Sequence, residues 1–562
     1  MTGGLPQASD LFSRRNELNP GLTRIGGSLR DSAAAARAPG QPPGEERGKM
    51  RYLLGIDLGT TGLKVAIFDL NGHSLARGFA VNPYLPGPPG WAEQDPRTWW
   101  QGGCTAIQAA LAQSGLNPAH IAGVGMCGFH HCPVFLKADG EPARPCIVTH
   151  DTRLAESLED LRRSGLLEEV VKISGSQVMT GHFPPIFHYV LRNDRTRLGE
   201  ARWIILAKDY IRYQLTGKVG TDICDATGTN LVAMPGQDWS GSLCELLRVP
   251  REKLPAIGHS SQVFGEVTPA AAQASGLRAG TPVVYGGGDS HCALVGLGVI
   301  GSGQVGLLLG TNSTLRASFK GFVSHVGQAV WAQQHVVPDQ YTVSASSMAG
   351  SSVLSWFKDL WFGERLARGD AEVYGEMESL AACVPPGCDG LLFHPYLYGE
   401  RSPFTNPYAR GSFLGIAHWH GKGHFVRSIM EGIAFCIGNC LDSIRAIARE
   451  RNESIDALRV GESGGSRLGT WRQIIADVLG LPLEVVAVEE PGCLGAALLA
   501  GVGLGEYRDV QAAAERVLAI DSVTCPNPVN TAMYEGLRMM FNQAYHVLEP
   551  VLYEPTHHKE AS

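Results

Sequence analysis

Asp57 and the turn that follows it, Gly59-Thr60-Thr61-Gly62, combine residue types that suit an anion and its counter-cation. Glycines and threonines offer backbone N–H groups and hydroxyls to a phosphate with no bulky side chain in the way. A carboxylate at the end of the preceding strand can hold a hydrated Mg²⁺ beside that phosphate. Lys64, on the next strand, either adds positive charge there or is an ordinary exposed strand residue. A second set, Gly286-Gly287-Gly288-Asp289-Ser290, reads as strand, glycines, acid, helix. The glycines let backbone approach something closely. A helix start favours an ionised Asp289 through the macrodipole; the plainer role for this residue is an N-cap. A third set is Gly310-Thr311-Asn312, where the string LGTT of residues 58–61 recurs as LGTN of residues 309–312. The recurrence predicts a duplicated domain, each half lending one phosphate-facing hairpin, the two clamping a triphosphate between them.

Other candidates surround these sets. His130 and His131 fall at a strand–turn junction, where alternation would send them to opposite faces and only one need meet a ligand. Asp151 and Arg153 read as a surface pair, or Asp151 as an acid facing a sugar. Asp222 and Asp225 read as turn caps. Gly464, Gly465 and Ser466, between a strand and a helix, would lie beside a nucleotide in a cleft. EEPGCLGAALLAG, residues 489–501, is a small-residue helix that supports either a purine pocket or plain helix–sheet packing. Gly296 to Gly301 fits G-x-G-x-x-G, but it follows a helix and opens none, so a dinucleotide fold is excluded. No G-x-x-x-x-G-K-[ST] occurs, which excludes a P-loop enzyme.

The elements that must position these residues alternate between strands and helices. YLLGID, LKVAIFDL and HSLARGFAV read as three strands, the last two joined at Asn71-Gly72. A helix follows, with Thr98 as its N-cap and Trp100, Cys104, Ile107 and Leu111 at helical spacing. IAGVGMCGFHHCPVFL reads as strand, turn and strand, and residues 154–250 as mostly amphipathic helix. A long helix from His424 carries Phe425, Ile429, Ile433, Ile437, Leu441 and Ile444 along one face. The next helix carries Trp471, Ile474, Ile475, Val478 and Leu479 as a stripe. An amphipathic helix follows Pro528, then a polar tail with His557 and His558 solvated.

The totals bound the rest. A chain of 562 residues with 44% hydrophobic content is long enough for at least two cored domains. A net charge of −7 argues against a nucleic-acid partner, and no apolar run is long enough to span a membrane. The 13 cysteines are scattered with no C-x-x-C pair, which points to reduced thiols and a cytoplasmic protein, with Cys436 and Cys440 in the core. Residues 1–49 are rich in Gly, Ala, Pro and Arg and cannot bury a core, so they read as a disordered extension, with Met50 as a plausible working start.

Several motifs, in order, resemble those of the FGGY carbohydrate kinases, and among them the xylulokinase branch. GIDLGTTGLKVAIFD is similar to the first phosphate motif and WAEQDPRTWW to the segment after the hairpin. GGGDSHCALVG is similar to the catalytic-aspartate loop, and GSFLGIAHWHGKGHFVRSIMEG to the C-terminal signature. The resemblance runs from about Met50 to Gly505. It implies an α/β fold of two actin/hexokinase-like ribonuclease-H domains around a central cleft. Residues 50–300 would form the sugar- and phosphate-binding domain, 301–510 the nucleotide-binding domain, and 511–562 a terminal helix and tail. The implied activity is transfer of the γ-phosphoryl group of ATP to a hydroxyl of a ketopentose such as D-xylulose. Alternatives are another sugar or polyol (ribulose, a deoxy sugar, a tetrulose) or a non-catalytic regulator of the same fold. ATP and Mg²⁺ are the implied cofactors, a small sugar the partner, and a homodimer remains open.

By the same resemblance Asp289 is the catalytic base, and Asp57 and Asp289 hold Mg²⁺ through water. Gly59, Thr60, Thr61, Lys64, Gly310, Thr311 and Asn312 hold phosphates. His130, His131, Asp151, Asp289 and Ser290 meet the sugar. The sequence departs from the family in the sugar loop. The family's Gln-Met-His-Gly reads Phe129-His130-His131-Cys132 here, its Trp-Asn-Asp reads Thr149-His150-Asp151, and Ser290 replaces the Asn after the catalytic Asp. Ile186 and Tyr189 likewise stand where Lys and Trp are expected. Phosphate-handling positions are kept while sugar-facing ones change.

Overall fold

The computed structural model describes residues 51–323, 330–367, 372–461 and 464–552. The N-terminal extension, Met50, His557 and His558 lie outside them. Two sheets organise the molecule. In the first, β1 (Tyr52–Leu58), β2 (Gly62–Phe68) and β3 (Ser74–Val81) form an antiparallel meander. β4 (Ile121–Gly128) runs parallel to β1 on its other side. Beyond it lie β5 (Val263–Glu266) and β6 (Pro282–Val284), giving the order β5-β6-β4-β1-β2-β3. The second sheet contains β7 (Val305–Leu309), β8 (Ser313–Lys320), β9 (Trp331–Gln334), β10 (Gln340–Ser347), β11 (Leu458–Gly461), β12 (Leu483–Val486) and β13 (Ile520–Thr524). Its order is β9-β10-β8-β7-β11-β12-β13.

Apart from the extra edge strand β9, the second sheet repeats the first. Each has an antiparallel meander of three, a parallel strand on the far side of the first, a second parallel strand, and an antiparallel edge. The LGTT/LGTN echo therefore marks equivalent turns, β1–β2 and β7–β8.

Helices cover the sheets. The helix after the meander, α1 (Pro96–Ser114), is capped by Asp95 rather than Thr98: the Asp95 side chain accepts from Arg97 N, and Pro96 fills the first position, where no N–H is needed. Its core face runs through Trp99, Cys104, Ile107 and Leu111; Trp99 is the fully buried indole, and Trp100 only half so. In α2 (Lys422–Glu450), residues 426–441 are buried on every side, so the single stripe expected there is one flank of a central helix. It lies against β8 and β10 on one side and α3 (Gly469–Leu479) on the other.

The small-residue helix α4 (Pro491–Gly503) packs on β1 and β4, in the first sheet. An added Cβ at Gly55 would stand 1.9 Å from the Cys493 carbonyl, and one at Gly125 would stand 1.8 Å from the Ala496 carbonyl. Its glycines and alanines are thus explained by helix–sheet contact. α5 (Pro528–Leu552) closes the second lobe against α3. All 13 cysteines are free, and Cys436 and Cys440 are core residues. No helix among the described residues is long and apolar enough to cross a membrane.

Candidate active site

Both turns close from a glycine amide, the second over one residue fewer. Gly59 N donates to Gly62 O at 3.0 Å, and Gly310 N donates to Asn312 O at 3.0 Å. In each, the carbonyls are tied back. Asn82 Nδ2 donates to Gly59 O at 2.8 Å and Gln94 Nε2 to Thr60 O at 2.7 Å. At the second turn, Ser351 N donates to Gly310 O at 2.9 Å and Ser352 Oγ to Thr311 O at 2.7 Å, both from the start of the helix Ser351–Ala367. Among the described residues, the amides of Thr60, Thr61, Thr311 and Asn312 have no backbone acceptor. Each turn therefore presents donors outward, the arrangement that accepts an anion.

Asp57 lies one residue before the end of β1. It pairs laterally with Cys127 of β4, which pairs with Gly287. These three strand ends are parallel, so Asp57 and Asp289, two residues past Gly287, stand on the same carboxyl-end edge about two strand spacings, ~10 Å, apart. Burial, reinforced by the Asp289 charge, pushes the Asp57 carboxyl up to about 7. Cys127 Sγ lies 3.4 Å from its Oδ1, and a Cβ on Gly492 would stand 2.7 Å from its Oδ2. A buried carboxyl raised by burial and by the charge of a second carboxylate fits a divalent ion. Lys64 extends from β2 and its Nζ bonds Glu490 Oε2 at 2.8 Å; it is neither isolated nor turned away.

Asp289 opens the short helix Asp289–Gly296, with Gly288 as N-cap, and its Oδ1 accepts from Ser290 N at 2.5 Å. The three preceding glycines approach other parts of the protein. A Cβ at Gly286, where φ is +75°, would stand 1.9 Å from Met126 O, and one at Gly288 would stand 1.6 Å from the His130 ring. The glycines thus seat His130 against Asp289: its Nε2 lies 3.8 Å from Asp289 Oδ1.

His130 and His131 do not separate to opposite faces. His131 adopts φ +74°, which breaks the alternation, and the two rings lie 5.4 Å apart. His130 Nδ1 meets Asp225 Oδ1 at 2.7 Å, and its Nε2 meets His291 Nδ1 at 3.0 Å. His131 bonds Gly228 O at 2.7 Å and stacks on His182 at 4.0 Å. Asp222 does cap a helix, but it and Asp225 are buried ions rather than turn caps alone. Lys208 Nζ reaches Asp222 at 2.5 Å, Asp225 at 2.9 Å and Asp209 at 2.7 Å. Lys208 and Asp209, like the buried Arg212, escaped the sequence reading; the signal was charged residues at the buried face of ILAKDYIRYQLTG.

Asp151 is not a surface residue. It is 1% exposed, bonded to Arg153 Nη2 at 2.6 Å and to Ala92 N at 2.6 Å, while Arg153 lies 3.6 Å over the Trp91 ring. Ser466 is also buried and its hydroxyl donates to Gly461 O. Gly465 backs onto Trp471 and faces Ser351 at the base of the second turn, while Gly464 begins the 3₁₀ turn. His130, Cys224 and His291 bring ligating atoms within 4.8 Å of one another. Burial holds the Cys224 thiol well above its usual value and the two imidazoles already bond each other, so the histidines read as a hydrogen-bonded pair beside a protonated thiol.

A pair of like sheets, each closing a glycine turn at the head of its first hairpin, is the architecture of the actin/hexokinase-like kinases. A solved xylulose kinase from Rhodospirillum rubrum matches it with a TM-score of 0.80 at 25% identity, over 90% of this chain and 100% of that one. The model of the FGGY carbohydrate-kinase N-terminal domain matches residues 52–296 and that of the C-terminal domain residues 297–504. The chain belongs to the FGGY family of carbohydrate kinases. It is 31% identical to a xylulose kinase of Klebsiella pneumoniae, over 89% of this chain and 99% of that protein. It is also 29% identical to an autoinducer-2 kinase of the same species, over 88% and 94%. These relatives differ in acceptor, so family membership fixes a sugar kinase and leaves the sugar to the pocket.

Proposed function

We propose that this carbohydrate kinase moves the γ-phosphoryl group of ATP onto a hydroxyl of a small sugar held against Asp289. A ketopentose such as D-xylulose is the acceptor its relatives suggest first; a ribulose, deoxy sugar, tetrulose or polyol is the alternative. The observation that carries the reading is the placement of Asp57 and Asp289 on one strand-end edge of a lobe whose first turn is repeated in the other lobe.

Phosphoryl transfer asks little covalent chemistry of a protein, so positioning and charge neutralisation dominate. The amides and hydroxyls of Gly59–Thr61 and Gly310–Asn312 hold phosphate oxygens. Asp289 accepts the proton of the attacking hydroxyl, oriented by its bond from Ser290 N. His130, fixed by Asp225, sets the position of Asp289, and His131 offers a polar wall to the sugar. Mg²⁺, held through water by Asp57 and Asp289, would supply neutralisation of the phosphate charge.

Asp289→Asn is the test. It should keep fold and nucleotide affinity and lower kcat by several orders of magnitude, at or beyond the upper end of the ~10²–10⁴-fold typical of a lost general base. A coupled ADP-release assay over ketopentoses, ketohexoses and polyols reads this. Turnover near the wild-type rate in the variant would remove Asp289 from the role.

A further inference from the structure

The sugar-side wall supplied by the second lobe is an unusual sheet face. Alternation along β8, β9 and β10 sends Leu315, Ala317, Val343 and Ala345 into the apolar core, and sends Arg316, Trp331, Gln333 and Thr342 toward the first lobe. That second face is nearly all polar yet buried. It meets the histidine chain directly: Thr342 Oγ1 is 2.8 Å from His291 Nε2, and a Cβ on Gly228 would stand 2.5 Å from Gln333 Nε2.

Arg316 sits in the middle, 5% exposed. Its Nη1 reaches Gln333 Oε1 at 3.1 Å and His291 Nε2 at 3.4 Å. No carboxylate among the described residues comes within ion-pair distance of it, and its Nε has no hydrogen-bond partner. Gln333 Nε2, Trp331 Nε1 and, beside the indole, His182 Nδ1 are unpartnered as well. A buried guanidinium without a bonded counter-ion is unfavourable, and burial, opposed in part by the more distant Asp289 charge, draws Arg316 down to about 10. The wall therefore holds one positive charge and several donor atoms, Arg316 Nε, Gln333 Nε2 and Trp331 Nε1, with no hydrogen-bond acceptor. Through His291 and His130, this group of donors is connected to Asp289.

We propose that the acceptor is a sugar acid, an aldonate or keto-aldonate, whose carboxylate docks on Arg316 while a hydroxyl at its other end meets Asp289. This rests on the sugar-kinase reading above and narrows it. A carboxylate is acceptor-only and matches a guanidinium fork in geometry. One arginine with two neutral donors, Gln333 Nε2 and Trp331 Nε1, balances the single charge of a carboxylate better than the double charge of a phosphate.

The test compares matched acceptors in the ADP-release assay: D-ribonate with ribitol, D-xylonate with xylitol, D-gluconate with D-glucitol, and D-xylulose and D-ribose 5-phosphate alongside. In the wild type, kcat/KM for the acid of at least one pair should exceed that of its neutral partner and of D-xylulose ten-fold or more. Arg316→Met should lower that acid-to-neutral ratio at least ten-fold, and Arg316→Lys should retain part of it. Preference for the neutral member of every pair, a better rate with the sugar phosphate, or an unchanged ratio in Arg316→Met overturns the proposal. If no acceptor stimulates ADP release, the kinase reading fails instead. Docking is then decided by whether aldonates raise the Tm of the wild type but not of Arg316→Met.

Discussion

At Gly59 and at Gly310 the chain closes a glycine turn, amide to carbonyl at 3.0 Å, between antiparallel strands of two sheets that share a strand order apart from one edge. The second turn is one residue shorter: Leu58 pairs with Leu63, and Leu309 with Ser313. Strand pairing, Asp57 with Lys64 and Leu308 with Thr314, places Asp57 opposite Leu308, Lys64 opposite Thr314, and Ala66 opposite Arg316. The first lobe thus carries a carboxylate at its strand end and a cation beside it. The second carries the uncharged Leu308 and Thr314 at those places and sets its charge two positions on, at Arg316. Backbone donors are duplicated, while charged chemistry is divided between the lobes. A phosphate-accepting turn needs only small residues and free amides, which any copy retains; metal binding and acceptor recognition each need one lobe only.

The sharpest way to break this comparison is a matched substitution at equivalent positions. Asp57→Asn should lower kcat/KM by about 10²–10³-fold, the scale of losing one preorganised electrostatic group. Leu308→Asn, on a half-buried residue, should leave kcat within a few fold and cost about 1 kcal/mol of stability from lost apolar burial. Asp57→Asn should also differ in the sign of its stability change. The native carboxyl titrates near 7 against 3.8 in the unfolded chain, so the native state binds more protons between those values and stability falls as pH rises through them. A neutral amide removes that fall. Denaturant unfolding in EDTA at pH 7.5 should find Asp57→Asn more stable than the wild type. Equal kinetic losses in the Asp57 and Leu308 variants would mean that the lobes share the metal role after all.

How much of this was legible in the sequence follows the same division. Turns, strands and the acid at Asp289 were readable because each depends on a few consecutive residues: LGTT before a strand, GGGD before a helix. The repeated topology appeared only as a four-residue echo, since sheet order is set by contacts far apart in the chain. The wall of Arg316, Trp331, Gln333 and Thr342 was not readable. Its strands alternate in a way that matches any half-exposed sheet, and only the packing of the first lobe makes the polar face a buried one. The helix 491–503 was ambiguous for a similar reason: its glycines admit a ligand or a neighbouring backbone, and the Cys493 and Ala496 carbonyls against Gly55 and Gly125 decide for the latter. His131 defeated the alternation rule through a single positive φ.

The histidines at the junction of the lobes sharpen the comparison at a middle scale. Burial holds His182 at about 3 and His335 at about 4, and holds His131 and His291 well below 6.5. In the unfolded chain all four titrate near 6.5, so the unfolded state binds more protons as pH drops below that value. Their stability contribution is present above 6.5 and is lost progressively toward pH 4. Asp57, Asp222 and Glu400, all raised by burial, act in the opposite direction, but they are three against four. The urea midpoint should therefore fall steadily from pH 7 to pH 5. His182→Phe, which keeps the stack on His131, should flatten part of that fall. A midpoint level across this range would show that the junction admits protons in the native state and that the second-lobe wall is more open than its burial indicates.

The smallest effect concerns Lys64, the residue whose counterpart is Thr314. Its bond to Glu490 at 2.8 Å joins β2 to the residue before α4, with side chains 45% and 25% exposed. Exposed pairs of this kind contribute about 0.2–1 kcal/mol. Lys64→Met and Glu490→Gln should each shift stability by no more than that, and the double variant by less than their sum, because both singles remove the same pair. Kinetics then separates the lysine from the pair. If Lys64 lends charge to the phosphates of the first turn, Lys64→Met raises KM for ATP several fold while Glu490→Gln, which frees the ammonium, leaves KM unchanged or lowers it. If both raise KM alike, the lysine only fixes the approach of α4 to Asp57. The first turn would then neutralise phosphate through its amides and the metal alone, as like its second-lobe counterpart as its backbone is.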